Sequence, residues 1–182
     1  MLRFVRARGH TNLTGIDLSA EQVELARTIL PSLQQADAIG FRRANRECFD
    51  LIAAPDLIEH PTKDEELEFP DGCRESLRPG GRLVLRTPNG ESPWHGGVRY
   101  GDFTHEICFN RKSLETLLRI TGFRDLQSRE AGVVARGLMF GVRWIAWRCV
   151  RAVVIADNSA ETGSRNSGVV SRVFLASGVR PE

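Results

Sequence analysis

Short apolar runs alternate with amphipathic segments along this chain, and the alternation predicts a series of α/β units. The clearest unit begins with the apolar run Phe49–Ala54, which is too short for a core helix and predicts a strand buried on both faces. A helix is predicted over Asp64–Leu77, a tight turn at Pro79–Gly81 and a second strand over Arg82–Thr87. A strand, a helix and a strand in this order form a βαβ unit, which implies a parallel sheet.

The segments before this unit repeat the same pattern. A strand is predicted over Leu13–Asp17, and Ser19 with Gln22 three residues later has the spacing of a capping box, so a helix should begin there. Leu33–Ala36 then predicts another short strand, followed by a short helix that ends near Asn45. An aspartate lies at the end of each strand, where ligands bind in open parallel sheets.

The C-terminal segments predict a helix over Lys112–Thr121, a strand over Phe123–Ser128 and a last strand over Val169–Ala176. Residues 137–156 between them are apolar nearly all round but carry arginines and tryptophans. We interpret this stretch as a helix packed on the sheet, with its arginines extending past the tryptophans. The alternative is a helix that lies on an anionic membrane surface. The polar residues Asp157–Gly168 predict a mobile loop, and no stretch is long enough to span a membrane.

Composition and charge mainly exclude classes of protein. The 182 residues, 41% apolar and 26% charged, fit one globular domain over residues 1–182. The net charge is +2 and the 25 lysines and arginines are scattered, so no nucleic-acid-binding surface is predicted. The four cysteines lie far apart, which predicts buried thiols of a reducing compartment. The N-terminus lacks the apolar stretch of a signal peptide, so we expect a cytoplasmic protein.

The order of the motifs carries a resemblance to a known family. FDLI, IEH and LRPGGRLVLRTPN, which lie between Phe49 and Asn89, resemble the second half of the class I S-adenosylmethionine-dependent methyltransferase fold. The resemblance covers roughly residues 1–130. It implies a Rossmann-like sheet, mostly parallel with an antiparallel terminal hairpin, in which residues 1–136 form the cofactor-binding part and residues 137–182 the last helix and strand. The implied function is methyl transfer from S-adenosylmethionine to an unidentified small-molecule acceptor.

The resemblance assigns cofactor contacts to the ends of the first two strands. GIDLSAEQVELAR is similar to the family segment whose acidic residue, here Asp17, accepts hydrogen bonds from the ribose hydroxyls; alternatively, Asp17 only helps to cap the helix at Ser19. Asp37 matches the acid that accepts from the adenine amine, with the Ala38 backbone alongside, but an N-cap is an equal alternative. Two further implied cofactor contacts are Leu18 and Ala54.

Asp56, Glu59 and His60 follow the strand Phe49–Ala54 and have two interpretations. An oxygen, oxygen, nitrogen set could bind a divalent metal, and some quinone O-methyltransferases of this fold have an acidic-x-x-Glu-His metal site. Such residues on a loop more often form local hydrogen bonds, so no metal is predicted. We expect Glu59 and His60 to belong to the catalytic site, where they position the acceptor or the sulfonium end of the cofactor.

The loop of residues 88–110 is long and glycine-rich, and it follows the carboxyl end of a strand, where an acceptor would bind. Long loops are functional or disordered, and the aromatic residues of this one favour order; they are Trp94, Tyr100 and Phe103. Either of its histidines, His95 or His105, could take a proton from an acceptor hydroxyl near pH 7. DFTHE…F is similar to a site-facing stretch of the family, so His105 is the predicted catalytic residue; a histidine bonded within the loop is the alternative.

The sequence departs from the family at one motif and contains one further irregularity. No Gly-x-Gly occurs in it, although the family's first strand ends in such a turn so that the backbone can approach the cofactor. We therefore expect this turn and the first strand to be missing, weak cofactor binding, and a strand Leu13–Asp17 that pairs with Phe49–Ala54 or has an open edge. Pro70, inside the predicted helix, should cost ~3 kcal/mol or more. The alternative function is an inactive methyltransferase-like protein that acts as a binding partner or a membrane-peripheral module.

Overall fold

In the computed structural model of the chain, the described residues are 2–63, 65–133, 137–165 and 167–182. The chain divides into two compact units, Met1–Arg46 and Glu47–Glu182. The single domain over residues 1–182 stays a prediction, and its internal boundary at residue 136 lies outside the described residues.

The first unit contains, in its described residues, the elements α1 Leu2–Ala7, β1 Gly15–Asp17, α2 Ala20–Arg27, β2 Leu33–Gln35 and α3 Ala38–Ala44. The two strands are parallel and form a sheet of their own, in which Asp17 lies opposite Gln35. The sequence predicts that the strand ending at Asp17 pairs with Phe49–Ala54 or leaves an open edge. Among the described residues β1 pairs only with β2, so it has an open edge. Val23, Leu30 and Leu33 form the buried cluster of the unit.

The start of α2 agrees in part with its prediction. Ser19 caps the helix because its hydroxyl accepts a hydrogen bond from the Gln22 backbone N–H at 3.3 Å. A capping box also requires a bond from the Gln22 side chain back to the Ser19 backbone, and the hydrogen bonds of the described residues do not include it. The N-cap at Ser19 is therefore present, but the capping box is incomplete.

The second unit is built on a four-stranded sheet with the order β3-β4-β6-β5. The strands are β3 Phe49–Pro55, β4 Leu77–Pro88, β5 Arg124–Glu130 and β6 Val173–Val179. β3 runs parallel to β4, whereas β6 runs antiparallel to both β4 and β5. The predicted α/β class, with its parallel unit and antiparallel terminal hairpin, is confirmed.

The core of the second unit follows from strand alternation and helix spacing. Every second residue of the central strands is buried, among them Leu83, Leu85, Phe174 and Ala176. Helix α6, Arg111–Ile120, starts with a complete capping box between Asn110 and Ser113. Its buried residues are Leu114, Leu117 and Leu118. These leucines face the sheet, where α6 contacts β5 and β6.

Two predictions for the βαβ unit are wrong in detail. Leu51 of β3 is 53% exposed and only Ala54 of the strand is buried, so the strand is not buried on both faces. Helix α4 spans only Glu68–Ser76, and the predicted start at Asp64 lies outside the described residues. Pro70 is therefore in the first turn of α4, where proline is tolerated better than in a helix interior.

Helix α7 spans Leu138–Thr162 and is longer than predicted. It continues through the first half of the predicted loop Asp157–Gly168 and ends at Gly163, whose φ of 69° gives a left-handed C-cap. The interpretation as a helix packed on the sheet is wrong for most of its length. Its large apolar side chains are exposed, and none of its described side chains is buried.

The cysteines also differ from their prediction. All four lie in described residues and none forms a disulfide, but Cys48 and Cys149 are exposed rather than buried. Cys73 is buried and Cys108 is partly buried, and burial raises the pKa of the Cys108 thiol. A widely spaced cysteine in the sequence carries no local signal of its burial, which depends on the packing around it.

Candidate functional site

The two aspartates that the sequence assigns to the cofactor lie at one edge of the first unit's sheet. Asp17 ends β1 and Asp37 follows β2, and the carboxyl ends of parallel neighbours meet at the same edge. Each carboxylate accepts one local hydrogen bond, Asp17 from the Ser19 N–H at 2.9 Å and Asp37 from the Gly40 N–H at 2.7 Å. Within the described residues the second carboxylate oxygen of Asp17 and that of Asp37 have no partner. Each aspartate can therefore still accept a hydrogen bond from a ligand.

The other predicted cofactor contacts lie next to strand ends. Leu18 is exposed, directly after β1, and Ala38 is the first residue of α3. Ala54 is buried near the end of β3, in the second unit. Contacts of these three residues with a cofactor stay predictions.

Asp56 begins the segment after β3 and is held by an ion pair. Its backbone has a left-handed φ of 51°, and its N–H donates to the Arg86 carbonyl at 2.8 Å. The Arg86 guanidinium donates to both oxygens of the Asp56 carboxylate. The Arg86 guanidinium on β4 therefore binds both carboxylate oxygens of Asp56. The alternative set of metal ligands, Asp56 with Glu59 and His60, does not form.

Among the described acidic residues of the second unit, Glu59 is the most deeply buried, with 1% of its surface exposed. In the described part of the chain neither oxygen of its carboxyl group forms a hydrogen bond of good geometry. Burial raises the pKa of Glu59 above its ordinary value, and the negative charge of Asp56 acts in the same direction, although the Thr87 hydroxyl lies close enough to act in the opposite one. A carboxylate without a partner at this depth is costly, and unsatisfied buried groups of this kind recur at functional sites. A functional role of Glu59 stays a prediction.

The loop of residues 88–110 folds back so that His105 reaches Glu59. The backbone N–H groups of Glu106 and Ile107 both donate to the Glu59 carbonyl, at 2.9 and 3.1 Å. From the other side, the Arg99 guanidinium donates to the carbonyls of His105 and Glu106. The backbone on both sides of His105 is thus fastened, and the imidazole is placed by these bonds.

Glu59, His60 and His105, the three predicted catalytic residues, lie together in the structure. One nitrogen of each imidazole and one oxygen of the carboxyl group lie within 4.8 Å of one another. The two imidazole rings are 4.9 Å apart between centroids and meet edge to face at 66°. Nδ1 of His105 is buried and has no hydrogen-bond partner among the described residues. The catalytic roles of the three residues stay predictions.

A hydrogen-bonded chain fixes the tautomer of His60. The Thr104 hydroxyl donates to Asp102 at 2.6 Å and also contacts Nδ1 of His60 at 3.0 Å. A hydroxyl has one proton, so His60 Nδ1 must be the donor to Thr104, and the lone pair of His60 is on Nε2. The hydrogen bonds from Thr104 also hold the pKa of Asp102 below its ordinary value. His60 therefore presents a basic nitrogen to the cluster.

Sequence reasoning missed the residues that support this cluster. The Asp102-x-Thr104 spacing, with the Thr104 N–H bonded to the Asp102 carboxylate, is an Asx turn and could have been recognised. Arg99 carries no local signal, because only the folded loop brings its partner carbonyls to it. His95, the second histidine of the loop, bonds through Nδ1 to the Ser92 carbonyl at 3.0 Å, which is the local interaction proposed as the alternative.

The order of the loop does not come from its aromatic residues, as the sequence suggested. Phe103 is 96% exposed and Tyr100 is also exposed. Instead, the buried Asn89 side chain donates to the carbonyls of Val169 and Ser171, at 3.0 and 2.9 Å. These bonds join the start of the loop to the segment before β6.

Trp94 is the loop aromatic that does pack, 5.9 Å from Trp147 of α7 between ring centroids. An open cavity of about 970 Å³ lies here, and Phe140, Arg143 and Arg172 also line it. Within the described residues, no helix combines the length and the apolar character that a membrane crossing requires.

A protein-family comparison matches residues 1–128 to a family described as a methyltransferase domain. Among solved structures, a SAM-dependent methyltransferase from Archaeoglobus fulgidus superposes with a TM-score of 0.72 and 16% identity, over 98% of this chain and 80% of that chain. A possible histamine N-methyltransferase from Thermotoga maritima has a TM-score of 0.63 and 14% identity, over 92% of this chain and 72% of that chain.

Phosphoethanolamine N-methyltransferase 2 of Haemonchus contortus, in complex with phosphomonomethylethanolamine and S-adenosylhomocysteine, has a TM-score of 0.60 and 16% identity, over 98% of this chain and 46% of that chain. At these identities the likeness shows the fold alone. No curated protein sequence matches the chain.

Proposed function

The chain belongs to the methyltransferase-domain family and has the class I S-adenosylmethionine-dependent methyltransferase fold, and from this premise we propose that it transfers a methyl group from S-adenosylmethionine to a small-molecule acceptor. The observation that carries the proposal is the meeting of Glu59, His60 and His105 just after the carboxyl end of β3. Ligands of open α/β sheets bind at this end of the strands. A basic imidazole beside a buried acid is a suitable environment for taking a proton from an acceptor.

The donor and acceptor groups of the first unit fit a nucleoside. The ribose hydroxyls and the adenine amine of S-adenosylmethionine are hydrogen-bond donors, and the second carboxylate oxygens of Asp17 and Asp37 are acceptors at one sheet edge. S-adenosylmethionine supplies an activated methyl group when bound. The backbones of Leu18 and Ala38 are further proposed contacts in the first unit. The absence of Gly-x-Gly from the sequence leads us to expect weak binding.

At the site of the methyl acceptor, the protein would orient the acceptor and remove its proton. Methyl transfer is an in-line displacement, so positioning of the acceptor supplies much of the rate. In the protein without a bound metal, Nε2 of His60, free to accept because Nδ1 donates to Thr104, or the imidazole of His105 would take the acceptor proton. The ionised Glu59 carboxylate would stabilise the imidazolium that forms.

Titration calorimetry with S-adenosylmethionine tests cofactor use. We expect weak, saturable heat from the folded chain, and Asp17→Asn should lower the affinity about tenfold or more, because a hydrogen bond to a charged group contributes about 1.5–3 kcal/mol. The asparagine amide oxygen can still accept the Ser19 N–H, so the turn at the start of α2 should persist. Asp50→Asn, at an exposed residue paired with Arg78, is the matched control.

Two results would contradict this expectation. Absence of heat at millimolar S-adenosylmethionine, from protein whose circular dichroism shows that it is folded, excludes cofactor use by this chain. Equal affinity of Asp17→Asn and the wild type would instead assign Asp17 to the cap alone.

Helix α7 favours a second candidate function, contact with an anionic membrane surface. Met139, Val142, Ile145 and Val153 are exposed and recur within one side of the helix, and the exposed Arg143 and Arg148 lie beside them. Exposed apolar residues next to arginines fit the boundary between acyl chains and anionic headgroups.

Flotation with vesicles tests this membrane contact. The wild type should float with vesicles of phosphatidylglycerol and phosphatidylcholine, and Ile145→Glu should abolish flotation because it places a charge in the apolar side. Leu25→Glu, at an exposed leucine of α2, should float like the wild type. A wild type that stays unbound, or one that forms a dimer through α7 instead, would rule out the membrane assignment.

A further inference from the structure

The buried carboxyl group of Glu59 requires a partner that the described residues do not provide. It is 1% exposed, and within the described residues neither of its oxygens forms a hydrogen bond of good geometry, although the Thr87 hydroxyl lies close enough for a weak one. Transfer of an unpaired carboxylate out of water costs several kcal/mol. In folded proteins such a charge is paired, coordinates a metal or becomes neutral. The side chains nearest to Glu59 indicate which of these applies.

Two imidazoles complete a set of metal ligands around this carboxylate. One nitrogen of His60, one nitrogen of His105 and one oxygen of Glu59 lie within 4.8 Å of one another. Two histidines and one carboxylate are the protein ligands of many catalytic zinc sites and of other borderline divalent metals. We propose that Glu59, His60 and His105 bind a divalent metal ion of the Zn²⁺ class.

The geometry needs only a small adjustment for this binding. Zinc bonds to nitrogen and carboxylate oxygen are about 2.0–2.2 Å long, so the ligand atoms of one ion lie about 3–3.5 Å apart. The three ligand atoms lie within 4.8 Å of one another, so metal binding would have to draw them closer together by rotation of side chains. Asp56 is not part of the set, because Arg86 occupies both of its carboxylate oxygens.

The groups behind His60 have the arrangement found behind metal-bound histidines. Nδ1 of His60 donates to the Thr104 hydroxyl, and this hydroxyl donates to the Asp102 carboxylate. Such outer hydrogen bonds fix the tautomer and leave the other ring nitrogen for the metal. Arg99 and the Glu59 carbonyl hold the backbone of the loop beside His105. The supporting contacts for two of the three ligands are therefore already formed.

Nitrogen ligands also indicate the class of metal. Mg²⁺ and Ca²⁺ prefer oxygen ligands, whereas imidazole suits Zn²⁺ and its neighbours in the transition series. Three protein ligands leave coordination positions for water or for an oxygen of the methyl acceptor. The coordination of an acceptor rests on the proposed function, but the binding of the metal does not.

Metal titration of the purified chain tests the inference directly. After removal of metals with a chelator, the wild type should bind one equivalent of Zn²⁺ near pH 7, measured by competition with a chromophoric chelator. Co²⁺ should bind at the same site and give visible absorption that Zn²⁺ abolishes. His60→Gln and His105→Gln should each weaken Zn²⁺ binding at least about a hundredfold, since even loss of an outer hydrogen-bond partner costs about 10–100-fold.

The controls separate this site from other histidines and other ligand sets. His95→Gln, in the same loop but bonded to the Ser92 carbonyl, should bind Zn²⁺ like the wild type. Wild-type protein without saturable Zn²⁺ or Co²⁺ binding at submillimolar metal overturns the proposal and leaves Glu59 as a neutral, protonated acid. Binding that survives His105→Gln but is lost in Asp56→Asn also overturns it. Titration of the same preparations with S-adenosylmethionine keeps a failed metal site distinct from a failed cofactor site.

Discussion

Phe174→Ala is expected to lower the free energy of unfolding by about 3–5 kcal/mol, the range for removal of a buried aromatic ring from a packed core. Phe174 is 0% exposed and lies on β6, opposite Thr87 of β4 and Glu130 of β5. Because β6 is hydrogen-bonded on both sides, the neighbouring strands cannot move independently to fill the cavity. The second unit should therefore lose a large part of its stability.

Leu175→Ala is the matched control for this prediction. Leu175 is the next residue on the same strand, points to the other face and is 37% exposed, so its loss should cost about 1 kcal/mol. Urea unfolding followed by tryptophan fluorescence compares the two variants. All three tryptophans lie in the unit Glu47–Glu182, so the signal reports on that unit. Equal losses in the two variants would show that the burial pattern of β6 is wrong.

His105→Gln is expected to lower kcat for methylation of a hydroxyl acceptor by about 10²–10⁴-fold near neutral pH, the usual contribution of a positioned general base. The variant keeps a polar side chain of similar size, so the loop should stay fastened through Arg99 and the Glu59 carbonyl. Release of S-adenosylhomocysteine with a panel of small phenols measures the rate, with a metal chelator present so that loss of the proposed metal ligand does not contribute. Since binding is expected to be weak, saturating S-adenosylmethionine is needed for the comparison.

The pH profile distinguishes proton removal from a merely structural role of His105. If His105 removes the proton, the variant should recover rate as pH rises, because the phenol ionises without help. A structural defect would lower the rate at every pH. His95→Gln should stay within a few-fold of the wild type, and a loss in that variant equal to the loss in His105→Gln would contradict the assignment.

The environment of Glu59 shows a conflict between stability and function. A neutral or apolar residue of similar size would remove the buried, unpartnered carboxyl group, and local rules of folding favour that exchange. Residues that break such rules are expected at functional sites. The proposed metal and the proposed proton transfer both use the property that makes Glu59 unfavourable for folding, which is a negative charge held away from water.

The sequence by itself determined the class of the fold and the family. Runs of apolar residues have the length of strands, and Ser19 has the chemistry of a helix cap. These are local properties, and local physics decides where a strand or helix begins. The predicted tight turn at Pro79–Gly81 is wrong, because these residues lie inside β4, where the pairing with β3 shifts its register. The motifs around Glu59 and His60 also indicated the methyltransferase family, which the match over residues 1–128 confirms.

Only the tertiary structure decided which residues are buried and which distant residues meet. Whether Leu51 is covered depends on what packs on β3, and whether Cys149 is covered depends on the packing of α7; neither follows from the local pattern. His105 meets Glu59 because backbone bonds to the Glu59 carbonyl and to Arg99 fold the loop back across many residues. Sequence motifs named the histidine and the acid separately, but their distance is set by contacts between parts of the chain that are far apart in sequence.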